Sequence, residues 1–248
     1  MRRRSLYLST IASDAASIAR QYGLGVELAQ FCTAWNMDEH FPDIAGEVRE
    51  TLQGIANSTL HGPFNELFPC AIDLQARELA ARRYRQAMAL AEGYGIRKLV
   101  IHGGFQPFMY YPVWYVEQSI VFWKEFVQTV PRDTVLCLEN VLEPEPYLLR
   151  DIVAAVDDPR LRLCLDVGHV NAYSEIPVER WLEDWAPWLS HYHIHNNDGS
   201  ADTHQPLFSG SMDLKSLLTK IQKRTPEASL TLELYESESS LRWMEENL

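Results

Sequence analysis

Histidine, aspartate and glutamate recur in this 248-residue chain directly behind short apolar runs, where a solvated charge is out of place. His61 closes STLH, His102 closes KLVIH, Glu139 closes VLCLE and Asp166 closes LRLCLD. His195 follows LSHYHI and Glu233 follows SLTL; His169 comes three residues after Asp166, and Asp202 and His204 follow His195. Imidazoles mixed with carboxylates suit Zn2+, Mn2+, Fe2+ or Co2+ rather than an all-oxygen calcium site. These nine donors exceed what one tetrahedral or octahedral ion takes, whereas two or three ions bridged by Glu139 and Glu233 would use them all. No thiolate belongs to the pattern. Cys32, Cys70, Cys137 and Cys164 lack CxxC spacing and read as reduced, buried thiols.

Each residue alone has an ordinary alternative. His61 before Gly62-Pro63 could be a turn residue, Glu139 and Glu233 could be surface carboxylates, and Asp166 could cap a helix. His191, His193 and His195 alternate with Tyr192 and Ile194 and therefore share one strand face. His193 and His191 read as progressively deeper hydrogen-bonded core histidines, His195 at the rim as the ligand, and His40 as a loop residue.

The elements that must position these side chains follow from periodicity. Strand-like runs fall at about 4–9, 24–31, 58–62, 98–103, 135–140, 161–166, 189–195 and 229–235. Helical patterns fall at 13–22, 44–56, 73–91, 113–129, 147–156, 178–185, 214–223 and 239–247, with Asp73 an N-cap and Gly93 and Gly95 a stop. Eight strands alternating with eight helices predict an α/β fold, a single (β/α)8 TIM barrel over residues 1–248. An open doubly wound sheet is the runner-up, but no Gly-rich phosphate turn follows the first strand. In a parallel barrel every strand end opens on one face, so all the donors above converge on a single mouth.

Composition narrows the partners. Lys+Arg total 22 against 34 Asp+Glu, a net charge of −12 that repels polyanions and argues against nucleic acid, although metal-binding carboxylates inflate it. The longest apolar runs fall far short of the roughly 18 residues a membrane helix needs. Met1-Arg2-Arg3-Arg4 before SLYLSTIA is a weak secretory pattern, because Ser5, Ser9 and Thr10 break the apolar part; the segment reads as a first strand and the protein as cytoplasmic.

The ordered motifs LHGPF, VIHGGF, LCLEN, CLDVGH, HIHNNDG with DTH, and LELY resemble the xylose-isomerase-like TIM-barrel superfamily. That superfamily holds sugar-phosphate isomerases and epimerases and the DNA-repair enzyme endonuclease IV, and the likeness runs from residue 61 to 235. The ketose-epimerase branch implies one divalent ion on Glu139, Asp166, His195 and Glu233, with both glutamates transferring protons and His169 contacting substrate. The endonuclease IV branch implies three zinc ions, adding His61 and His102 on one and His169, Asp202 and His204 on another. The latter tilts toward phosphoester hydrolysis by metal-bound hydroxide.

Other residues pull toward a sugar. The post-strand loops hold no basic segment, and Arg82, Arg83 and Arg85 read as a solvated helix face. The loops are aromatic (Trp35, Phe41, Phe105, Phe108, Tyr110, Tyr111, Trp114, Tyr115) and acidic (Glu27, Asp38, Glu39, Glu143), as in a closed polyol pocket. The sequence therefore predicts a metal-dependent isomerase or epimerase of a small sugar or sugar phosphate, with Glu139 and Glu233 exchanging a proton through an enediolate. Glu27, Trp35 and His169 are the expected substrate contacts, with one to three zinc or manganese ions per chain. Aromatics after the fourth strand would suit a homodimer contact. Lys215 and Arg242 are the only cations offered for a phosphate, and an endonuclease IV-like multinuclear zinc hydrolase is the alternative.

Overall fold

Successive side chains of a strand point to opposite faces of the sheet, and that alternation decides which residues meet the helices. The computed structural model describes residues 5–248; Met1–Arg4, including the first residue expected in the opening strand, lie outside the described residues. The strands are β1 (Leu6–Ser9), β2 (Gly25–Leu28), β3 (Ser58–His61), β4 (Lys98–His102), β5 (Val135–Glu139), β6 (Leu161–Asp166), β7 (Leu189–Ile194) and β8 (Ser229–Leu232). They pair in chain order, all parallel, and β8 closes on β1. The fold is a (β/α)8 barrel, as the alternation of patterns predicted.

The helices are α1 (Ala15–Tyr22), α2 (Ala34–Met37), α3 (Phe41–Leu52), α4 (Leu74–Gly93), α5 (Pro112–Phe126), α6 (Tyr147–Val156), α7 (Val167–Tyr173), α8 (Val178–Trp185), α9 (Leu214–Arg224) and α10 (Glu238–Asn247). Asp73 caps α4 as expected, its side chain accepting from the Gln75 amide at 2.8 Å. The strict one-helix-per-strand order is broken twice, by α2 and α7 in the connections after β2 and β6. Each has a local cause. Thr33 accepts from the Asn36 amide, and Asp166 accepts from the His169 amide at 2.7 Å. Among the described residues no helix is long and apolar enough to cross a membrane.

Leu8, Val26, Leu60, Ile101, Leu138, Leu165, Tyr192 and Leu232 point outward into the main core with Ile18, Val48, Trp123, Ile152 and Trp181 from the helices. Each such side chain contributes roughly 1.5–3 kcal/mol when fully buried, so this shell carries the stability. The apolar cluster inside the barrel is small: Val100, Cys137 and Cys164. Other inward positions are thereby free for polar chemistry. A bulge in β7 sets its phase, because Leu163 pairs with Leu189 but Cys164 pairs with His191, leaving Ser190 over. After it, His191 and His193 lie on the inward face.

Candidate metal centre at the barrel mouth

Glu139 ends β5 and is buried, with its two oxygens serving different partners. Oε1 lies 3.0 Å from His193 Nδ1 and 3.5 Å from His169 Nδ1. Oε2 lies 3.3 Å from His61 Nε2 and 3.6 Å from His102 Nε2, at the ends of β3 and β4, and makes no hydrogen bond. Asp166 faces His195 Nε2 at 3.1 Å and His169 Nδ1 at 3.4 Å. Asp202 joins His169 and His204, each at 3.2 Å, and His195 at 3.6 Å. Glu233 Oε2 lies 3.1 Å from His193 Nδ1, and its donor atoms share a 4.8 Å group with those of His195 and His204. His61, His102, Glu139, Asp166, His169, His195, Asp202, His204 and Glu233 thus form one connected network.

The imidazoles are aimed by their second nitrogens. The Nδ1–H groups of His61, His169 and His204 donate to the carbonyls of Gly62 (3.0 Å), Asn140 (2.9 Å) and Glu233 (2.8 Å). Carbonyls only accept, so each Nε2 is left for the centre, the orientation metal-ligating histidines adopt. Asn140 ties β5 to β6, donating to the Asp166 carbonyl and accepting from the Asp166 amide. Gly168 is required by close approach: a Cβ there would stand 1.9 Å from His195 Cε1.

The electrostatics are those of crowded carboxylates that draw protons onto their neighbours. Burial opposes a charge on His169, but Asp166, Asp202 and Glu139 push it up to about 10. Burial is likewise outweighed at His204, where Asp202 and Glu233 raise it to about 9. Glu139 and Glu233 would be raised by burial, yet the facing imidazoles, His193 foremost, hold both below the usual carboxylate range. His102 is pulled down to about 3 by burial, which Glu139 only partly offsets.

This donor set fits a divalent cation. Glu139 Oε2, His195 Nδ1 and Asp202 Oδ1 are buried without a hydrogen bond. The 3.1–3.6 Å separations also match the edge of a coordination tetrahedron with bonds of about 2.1 Å, which is about 3.4 Å. No cysteine joins the donor groups among the described residues, but one thiol stands behind a candidate ligand. Cys32, after β2, places Sγ 3.4 Å from His61 Nδ1, a proximity between distant segments that no local spacing reveals.

The expected substrate contacts separate. His169 stands in the network. Trp35 does not: it is exposed on α2, donating to Glu39 Oε2 at 2.8 Å. Glu27 is fully buried beneath the mouth, where Oε2 accepts from Thr59 (2.9 Å), Thr231 (3.1 Å) and His191 Nε2 (3.0 Å). Its Oε1 lies 2.8 Å from His193 Nε2. His191 Nδ1 accepts from Ser229 Oγ (2.6 Å), and Lys98 Nζ donates to that same oxygen at 2.8 Å. Burial holds His191 down at about 4, in keeping with its role as a neutral imidazole in this column. His193 is the buried, hydrogen-bonded histidine expected, yet its partners are the carboxylates of the centre. Glu143 is no open pocket wall: it is buried, accepting from Tyr115 OH and the Val141 amide, and burial raises it.

Residues 18–248 match the family model for xylose isomerase-like TIM barrels. An uncharacterized protein of Methanocaldococcus jannaschii is 25% identical over 185 residues, 70% of this chain; the match spans 63% of that relative's length. Among solved structures, a D-tagatose 3-epimerase-like protein superposes with a TM-score of 0.80 at 18% identity, covering 98% of this chain and 96% of its own. A Thermus thermophilus protein soaked with ZnCl2 gives 0.78 at 25% identity, covering 98% and 97%.

Proposed function

The chain belongs to the xylose isomerase-like TIM barrel family, and from that premise we propose that it is a divalent-metal-dependent isomerase or epimerase of a small sugar or sugar phosphate. The observation that carries the reading is the placement of Glu139 and Glu233, whose carboxylates lie 3.0 and 3.1 Å from the same His193 nitrogen. They converge from β5 and from the residue after β8, nearly opposite strands of the ring. One carboxylate takes the proton α to a carbonyl and the other returns it, so that the two faces of a substrate held between them are served separately. His61, His102, Asp166, His169, His195, Asp202 and His204 would hold the metal with these two. A bound divalent cation would polarise the carbonyl and offset the charge that develops on the enediolate. Glu139→Gln, loaded with metal, is expected to lose at least about a hundredfold in kcat, the scale of a general base. Normal metal binding with full turnover refutes this mechanism.

The full donor set favours one second reading, a multinuclear zinc phosphoester hydrolase. It expects three zinc ions per chain by elemental analysis and cleavage of an abasic-site duplex; the isomerase reading expects turnover of a ketose and none of the duplex.

A further inference from the structure

The mouth of the barrel is built from eight connections, residues 10–14, 29–40, 62–73, 103–111, 140–146, 167–177, 195–213 and 233–237. Not one of these 80 residues is lysine or arginine, although the chain's 22, spread evenly, would place about seven there (22 × 80/248). The segments carry carboxylates instead, including Asp14, Glu143, Asp198, Asp202, Asp213 and Glu236 beside Glu233.

Barrels of this class can also grip phosphate with the amides of the loops after β7 and β8 and a helix N-terminus nearby. Here amides at the two helix starts that follow β7 and β8 are taken by the chain's own acids. Asp14 accepts from the Ser237 amide (3.1 Å) and the Glu238 amide (3.2 Å) at the start of α10, and Glu236 accepts from the Ser239 amide at 3.0 Å. Asp213 accepts from the Ser216 amide at 3.1 Å at the start of α9. The cations nearest the rim are engaged as well. Arg77 donates to the Ala71 carbonyl and Gln118, Arg150 pairs with Asp151 and Asp184, Arg180 with Glu183 and Asp184, and Arg242 with Glu238. Lys215 remains, on the exposed side of α9.

Aromatic rings stand against the histidines of the centre. Phe64 stacks on His102 at 4.3 Å, Tyr235 lies 5.7 Å from His204, and Tyr173 lies 6.2 Å from His169. Tyr173 and Tyr235 are exposed, so their rings are available to a ligand. Aromatic faces suit the C–H faces of a sugar, and carboxylates accept from its hydroxyls. A metal at the reacting carbonyl neutralises charge there but leaves a phosphate at the far end of a sugar without a cation.

We infer that this mouth takes an uncharged carbohydrate, the free sugar rather than its phosphate ester. The inference rests on the isomerase/epimerase reading and narrows it. Its test uses the full chain loaded with Mn2+ or Zn2+ and matched pairs, such as D-fructose with D-fructose 6-phosphate and D-ribulose with D-ribulose 5-phosphate. Interconversion is followed by chromatography and binding by calorimetry. The free sugar of a pair is expected to exceed its ester at least tenfold in kcat/KM and to bind more tightly, with Lys215→Ala unchanged. A tenfold preference for an ester, in turnover or in binding, overturns the inference while leaving the isomerase reading standing. Binding of neither member of any pair refutes both.

Discussion

Replacing Glu27 separates two roles that its sequence position allowed. A carboxylate touching substrate would raise KM when removed and leave stability alone. In the structure Glu27 is fully buried and holds two threonine hydroxyls and two imidazoles, so its removal leaves several buried polar groups without partners. Breaking a buried charged pair from one side costs roughly 3–5 kcal/mol, and Glu27→Ala is expected to fall in that range. For a chain of this size each kcal/mol moves Tm by about 2–4 °C, which makes the drop roughly 6–20 °C. Glu27→Gln keeps the volume but not the charge and should lose about 1–3 kcal/mol. The pH dependence has a definite sign. Burial opposes the Glu27 charge, but His193 and His191 outweigh it and hold the group well below its ordinary value. Its stabilisation is therefore complete above the unfolded-state value of about 4.3 and is lost as pH falls through the lower folded value. Denaturant melts of wild type and both variants at pH 7 and in acid read this out, with the gap to Glu27→Gln closing in acid. If Glu27→Ala melts within a degree of wild type and only its KM changes, the structural account of this residue is wrong.

Two further outcomes follow from the geometry. Gly168→Ala should displace the His195 ring, because its Cβ would lie 1.9 Å from Cε1, costing about 1–3 kcal/mol of stability and at least about tenfold in metal affinity; unchanged zinc titration against a chelator would contradict it. Metal uptake at pH 7 should release about three protons per chain, since His61, held against burial well above its ordinary value by Cys32 and Glu139, His169, raised to about 10, and His204, raised to about 9, must be neutral to ligate. Calorimetry in buffers of different ionisation enthalpy measures this release. Affinity should rise with pH and level off above those values, and zero release would show that these histidines are not ligands.

The strand ends were legible because VLCLE and LRLCLD each end an apolar run on a group that needs a partner, and a parallel barrel has one place to provide it. Helix α7 was not, because Val167, Gly168, His169 and Val170 are all buried, so a single short turn shows no polar face. Nor does an aromatic residue in a loop announce its direction: Trp35 turns outward to Glu39. The depth of Glu27 was not legible either, because of the strand's length. A run read as 24–31 put it anywhere along a slope toward the rim, whereas β2 is Gly25–Leu28 and Val26, facing out, fixes Glu27 facing in. Cys32 beside His61 joins residues 29 positions apart and has no local signature.

The column from Lys98 through Ser229, His191, Glu27 and His193 to Glu139 and Glu233 runs up the middle of the barrel. Floor and rim are consequently one object. Altering the reaction by exchanging rim residues would disturb charges anchored a full barrel-height below, and swapping a floor residue for a greasy one would loosen the aim of the two glutamates. An engineer seeking new chemistry on this scaffold has to redesign the spine along with the tip.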